Sequence, residues 1–181
     1  MAMIEISKLS GEMNNSFDCG NNSINALIVE SYYATILQHA YGYTAIVNGQ
    51  VVGIYMLKFM KIVLEQGPEC LSDYKSDICN DCFSVHIKYI AVQVGEQGKG
   101  LGRLILKYII TEVMKLCQNW PVRLITLDAL KEKYEWYRSI GFVAFNEEDQ
   151  KDNDSTIKMY LDCLLDKELV DSYVSGCLDN I

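Results

Sequence analysis

The sequence predicts a mixed α/β fold, with antiparallel hairpins before the middle of the chain and a β-α-β unit after it. Three observations predict it. Asn48 and Gly49 separate two apolar runs, 43–47 and 51–57, and an Asn-Gly pair tolerates the positive φ of a tight hairpin turn. Residues 83–93 form a long apolar run suited to a central strand. Leu101, Leu104, Ile105, Tyr108, Ile109, Val113 and Leu116 then recur at helical spacing, as one apolar stripe.

The remaining elements follow in chain order. Ile4 and Ile6 alternate with polar residues, as in a short half-buried strand. Asn21, Asn22 and Ser23 are candidate N-caps for a helix reaching about residue 40, with Ile24, Leu27, Ile28, Ile36 and Leu37 at helical spacing. Residues 65–82 carry Gly67, Pro68 and several Asp and Asn, and read as a loop or short lid. Residues 94–99 are a turn, and Pro121 closes the helix that begins at Gly100. A strand over 122–127, a short helix over 130–139 and a strand over 141–145 come next. The stretch 146–155 is nearly all polar, 156–161 suits an edge strand, and 164–178 suits a C-terminal helix. No repeat or linker divides the chain, so residues 1–181 are expected to form one domain.

Bulk properties narrow the function. The chain has 181 residues, half of them hydrophobic, enough for a sizeable core. It shows neither a secretory signal pattern nor an apolar run long enough to span a membrane, so a cytoplasmic protein is expected. The net charge of −8 and pI near 4.7 weigh against non-specific nucleic-acid binding. Such a charge suits a cationic substrate such as an amine. Seven cysteines include the pair Cys79 and Cys82, with Cys70 nearby. A zinc site needs a second pair or suitably spaced histidines, and the two histidines are His39 and His86. Reduced thiols and no metal are the expectation.

The segment that carries chemistry is the strand residues Ile90, Ala91 and Val92, a glycine-rich turn, and an amphipathic helix. Gly98, Gly100 and Gly102 remove side chains where the helix begins. The first turn of a helix leaves backbone N–H groups unpaired, and its dipole places partial positive charge there. Lys99 and Arg103 add cations. Together these suit a phosphate or pyrophosphate. A P-loop is excluded because Gly100, not Ser or Thr, follows Lys99. A dinucleotide fingerprint is disfavoured because Arg103 replaces its last glycine, although Asp128 could imitate its ribose-binding acid. A turn that only packs helix on strand stays open.

The run Gln97, Gly98, Lys99, Gly100, Leu101, Gly102 resembles the Q/R-x-x-G-x-G/A motif of the GNAT acetyltransferases. Tyr137, followed by Gly141 and Phe142, resembles that family's second signature, and the resemblance is strongest over residues 4–145. It implies a mostly antiparallel sheet flanked by helices, and acetyl-CoA as cosubstrate. Ile90 to Val92 would receive the pantetheine arm and residues 97–103 the pyrophosphate. An amine, on a small molecule or a protein, would attack the acetyl carbonyl directly. The resemblance also implies a backbone N–H near Val92 for the developing oxyanion, and Tyr137 as the acid toward the leaving thiolate. It further implies acceptor pockets built from the first helix, its following loop and the region 65–82.

Many members of the family place a glutamate on the central strand as general base, but this strand offers His86 and Lys88. His86, Glu30, Asp128 or no dedicated base remain as alternatives. A non-catalytic module that binds CoA or an acyl-CoA also remains. Phe17, Cys19 and Gly20 resemble the F-x-C-G opening of a subgroup that includes toxins acetylating aminoacyl-tRNA. The acidic charge argues against nucleic acid, while Lys99, Arg103 and Lys107 leave tRNA open. Homodimers are common in the resembled family.

Overall fold

The computed structural model describes residues 4–13, 16–63, 80–146 and 155–164. Outside these lie most of the loop expected over 65–82, Cys70 and Cys79, most of the polar stretch 146–155, and the C-terminal helix expected over 164–178.

The elements run β1 (Glu5–Lys8), α1 (Asn22–Val29), α2 (Ser31–Ile36), β2 (Tyr41–Val47), β3 (Gln50–Val63), β4 (Asp81–Val92), α3 (Leu101–Cys117), β5 (Val122–Leu130), α4 (Tyr134–Arg138), β6 (Val143–Ala144) and β7 (Thr156–Asp162). The seven strands form one sheet in the order β1-β2-β3-β4-β5-β7-β6. Every pairing is antiparallel except β4 with β5. The hairpin turn falls where the sequence places it, with Asn48 at φ 50° and Gly49 at φ 77°.

Four local expectations change. The helix expected from Asn21 to about residue 40 is two helices. The Ser31 hydroxyl donates to the Leu27 carbonyl at 2.9 Å and also contacts the Tyr89 hydroxyl on β4. Such bonding back to the preceding turn bends helices. The helix expected over 130–139 begins later, because Leu130 ends β5 and residues 131–133 form a 3₁₀ turn before α4. The strand expected over 141–145 shrinks to Val143–Ala144. The expected edge strand, β7, is internal, between β5 and β6. Arg123 holds it there from β5, donating to both Asp162 carboxylate oxygens at 2.6 and 2.8 Å.

The core lies mainly between the sheet and α3. Ile105, Leu106, Ile109 and Val113 are its buried face, each contributing about 1.5–3 kcal/mol of transfer free energy. That face is turned toward Leu106, away from part of the sequence stripe. Leu104 and Tyr108 instead line an open groove of about 520 Å³ with Ile6 of β1 and Ile4 just before it. Gly53 lets α3 sit close to β3, since a Cβ there would lie 2.7 Å from Ile105 Cδ1. A second core, Ile28, Ala40, Ile54, Met56, Tyr89 and Ala91, fills the opposite face beneath α1 and α2.

Candidate active site

The site forms where β4 and β5 part. Their parallel pairing runs from Phe83 with Val122 to Ile87 with Leu127 and stops there. At the same point β4 carries a bulge. Met56 of β3 pairs with Tyr89 and Leu57 with Ile87, which leaves Lys88 without a partner. A bulge bends a strand and changes which face its later side chains meet. Val85 and Ile87 therefore pack toward α3, whereas Tyr89 and Ala91 pack under α1.

Beyond the bulge, β4 exposes backbone polar groups to the gap. The Gln93 N–H donates to the Val52 carbonyl at 3.0 Å. Antiparallel ladders alternate between bonded and non-bonded pairs. Ala91 with Ile54 is therefore a bonded pair, while Ile90 and Val92 direct their N–H and C=O groups away from β3. No β5 residue pairs with them. The Val92 carbonyl accepts from the Gln97 side chain at 2.9 Å, so the Val92 N–H is left as the donor.

The strand then enters the glycine turn. Gly98 has φ 75° and Gly100 φ 83°, a region that favours glycine, and a Cβ at either would meet no protein atom within 4 Å. Gly100 is the N-cap of the seventeen-residue helix α3 and offers no side-chain cap. The first-turn N–H groups of α3 thus open onto space that glycines keep clear, a cradle that fits a pyrophosphate. Lys99 is paired with Glu96 at 2.9 Å. Arg103 donates to the Ser139 hydroxyl at 2.9 Å, and Ser139 donates to the Trp136 carbonyl at 2.7 Å. The turn is thereby tied to the end of α4. A Cβ on Gly102 would lie 3.8 Å from both Trp136 and Val92.

Tyr137 lies on α4, edge-on to Trp136 at 4.7 Å and to Phe142 at 5.8 Å between ring centroids. Burial pushes its hydroxyl up to about 12. The hydroxyl has no hydrogen-bond partner among the described residues. It is thus a protonated donor at neutral pH, held by aromatic packing rather than by a polar contact.

His86 sits just before the parting, its Nδ1 3.1 Å from the Thr126 hydroxyl. Burial lowers its pKa; Asp128 opposes the shift, and Lys58, Lys88 and Lys158 add to it. The imidazole is therefore neutral at pH 7. None of those three lysines is held in an ion pair among the described residues. Among the described residues, no three His, Cys, Asp or Glu side chains group together as metal ligands.

Sequence reasoning named Asn21 as a candidate cap of α1, which the structure bears out, but missed Asp18 and Asn25, which fix that helix to this site. Asp18 accepts from the Gly20 N–H at 2.8 Å and from Asn25 Nδ2 at 2.7 Å. The first of these bonds chiefly, with help from the second, holds its carboxyl below the usual range. The Asn21 side chain caps α1 through the Ile24 N–H at 3.1 Å. The only signal was the cluster of capping residue types around Cys19 and Gly20.

A family model for the acetyltransferase (GNAT) domain matches residues 75–163. No curated protein matches the sequence. Among solved structures, the crystal structure of a bacterial toxin superposes with a TM-score of 0.75 at 16% identity, covering 100% of this chain and 98% of that one. AtaT complexed with acetyl-methionyl-tRNAfMet gives 0.73 at 18% identity, over 88% of this chain and 95% of that one. AtaTR bound with AcCoA gives 0.72 at 19% identity, over 88% and 94%. At these identities the likeness is one of fold.

Proposed function

We propose that this chain, whose residues 75–163 match the model of the GNAT acetyltransferase domain, moves the acetyl group of acetyl-CoA to a primary amine by direct attack. The observation that carries this reading is the continuity of the gap with the turn. Open backbone groups at Ile90 and Val92 run straight into the cleared N-terminus of α3. An arm of amide and hydroxyl groups would hydrogen-bond to the open backbone groups of Ile90 and Val92 as it passes Ala91. Its pyrophosphate would meet the backbone of Gly98, Lys99, Gly100, Leu101, Gly102 and Arg103, with the last residue's guanidinium beside it, whereas the Gln97 N–H is taken by the Val94 carbonyl at 3.3 Å. The acetyl thioester supplies the electrophile.

The protein's residues then have three tasks. The Val92 N–H, directed away from β3, is the donor for the carbonyl oxygen as it gains charge, and a fixed donor there lowers the barrier. Tyr137 donates its proton or a hydrogen bond to the departing sulfur. Neutral His86, whose ring feels the Asp128 charge, is the candidate for taking the proton of the amine, although its lowered pKa makes it a weak base. A cytoplasmic location belongs to this reading, because that compartment supplies acetyl-CoA. Among the described residues, no helix is long and apolar enough to cross a membrane.

The binding assignment is tested by Gly100→Asp. Its side chain would fill the cradle and set a negative charge against the phosphates. Acetyl-CoA binding by calorimetry should vanish; retained binding overturns the assignment. Release of free thiol with a panel of amines separates an enzyme from a module that only binds CoA.

A second reading has specific support: an acceptor amine carried on aminoacyl-tRNA. Lys58, Lys88 and Lys158 surround His86 where an acceptor would approach, and full-length structural likeness extends to a bacterial toxin. Acetylation of charged tRNA together with arrested translation in vitro would select this reading.

A further inference from the structure

We propose that Gln97 is a positioning residue, and that its side chain couples the cofactor turn to segment 16–20 and helix α1 instead of binding phosphate. The coupling rests on the reading of residues 98–103 as the pyrophosphate turn; the clamp itself does not.

Both donors of the Gln97 amide are in use. Nε2 donates to the Cys19 carbonyl at 2.8 Å and to the Val92 carbonyl at 2.9 Å. What remains is Oε1, an acceptor, which repels an anion. The side chain therefore bridges the last residue of β4 and the segment leading into α1.

That bridge is one of four hydrogen bonds joining segment 16–20 to residues 93–97. The Asp18 N–H donates to Gln93 Oε1 at 3.0 Å, and Gln93 Nε2 donates to the Ser16 carbonyl at 3.5 Å. The Val94 N–H donates to the Asp18 carbonyl at 2.9 Å. Packing agrees with the bonding: Gly20 has φ 77°, and a Cβ there would lie 3.3 Å from Val94 Cγ2. Asp18, Asn21 and Asn25 then fix this segment to the first turn of α1. Turn, segment and helix form one hydrogen-bonded body. Occupancy of the turn is felt at α1 because the two share Gln97.

The same bonding explains a chemical preference. A residue at 97 must present two N–H donors to two carbonyls, and an arginine can do so as well as a glutamine. Gln97→Arg is therefore the conservative change, and Gln97→Leu or Gln97→Glu the disruptive one.

The test uses the full chain, with hydrogen exchange of peptides covering residues 16–25 and calorimetry with acetyl-CoA. In the free protein, Gln97→Leu should speed exchange over 16–25 by about tenfold, the scale of one lost hydrogen bond. Its acetyl-CoA affinity should change by less than about threefold, because no phosphate contact is removed. Acetyl-CoA should slow exchange over 16–25 in the wild type and not in the variant. Gln97→Arg should restore wild-type exchange, and Gln93→Leu should reproduce the loosening from the other side of the clamp. Unchanged exchange over 16–25 in Gln97→Leu overturns the proposal. So does a loss of affinity beyond tenfold with 16–25 undisturbed, which would make Gln97 a phosphate ligand. Absence of acetyl-CoA binding by the wild type would instead sink the cofactor reading, while the free-protein exchange still reports on the clamp.

Discussion

Tyr137 and His86 occupy opposite electrostatic situations, and each has a measurable consequence. Burial raises the Tyr137 hydroxyl to about 12. Its folded-state pKa lies above the unfolded value, so the proton is retained at every pH used in an assay. Tyr137→Phe should lower turnover by about a hundredfold, with acetyl-CoA affinity unchanged. The deficit should be the same at pH 6 and pH 9. A deficit that shrinks across that range, or no deficit, removes the residue from the acid role. For His86 the shift runs the other way. Burial favours the neutral ring in the folded state, whereas the unfolded chain takes up a proton near the ordinary histidine value of 6.5. The unfolded state then binds more protons, so stability falls as pH drops below about 6.5. Thermal melts between pH 7.5 and 5 should show a steeper loss for the wild type than for His86→Gln. Parallel curves would mean that His86 titrates as it does in water.

At the level of elements, glycine is used for two different purposes. Gly98 and Gly100 face open space, so their role lies toward a ligand and toward positive φ. Gly53 faces protein, and a Cβ there meets Ile105 at 2.7 Å and the Ala91 carbonyl at 3.3 Å. Gly53→Val should therefore destabilise the fold by about 1–3 kcal/mol through overpacking. Gly53→Ala should cost less, because Ile105 Cδ1 is the far end of a flexible side chain. Denaturant unfolding of both variants checks the order, and equal stability would contradict the close approach of α3. This contrast also shows what a sequence can reveal. The hairpin at Asn48 and the turn at Gly98 were legible because backbone chemistry decides them within a few residues. The bulge at Lys88 was not, since it depends on how β3 lies opposite, and nothing in the apolar run 83–93 marks it. The place of β7 was hidden for the same reason. Alternation gives its two faces but not its neighbours, and the Arg123 to Asp162 pair that seats it spans thirty-nine positions.

Over the whole molecule, charge is unevenly placed. A net charge of −8 led the sequence reading away from nucleic acid, yet a formal sum says nothing about where charges lie. The sheet brings Lys58 of β3, Lys88 of β4 and Lys158 of β7 around His86, with Asp128 the one acid acting on it. Cations on three strands can concentrate an anionic acceptor locally even when the molecule as a whole repels it. The face beside the gap is therefore expected to set acceptor affinity without touching the cofactor. If aminoacyl-tRNA is the acceptor, Lys158→Glu should raise its KM by about tenfold or more and leave acetyl-CoA affinity unaltered, because the reversed charge sits across β5 from the parted strand. The wild-type KM should climb with salt, and the slope should be shallower in the variant, which makes fewer phosphate contacts. A small neutral amine should show neither effect. If Lys158→Glu and salt leave tRNA acetylation untouched, the lysines are ordinary solvated surface, and the acceptor is selected elsewhere along the gap.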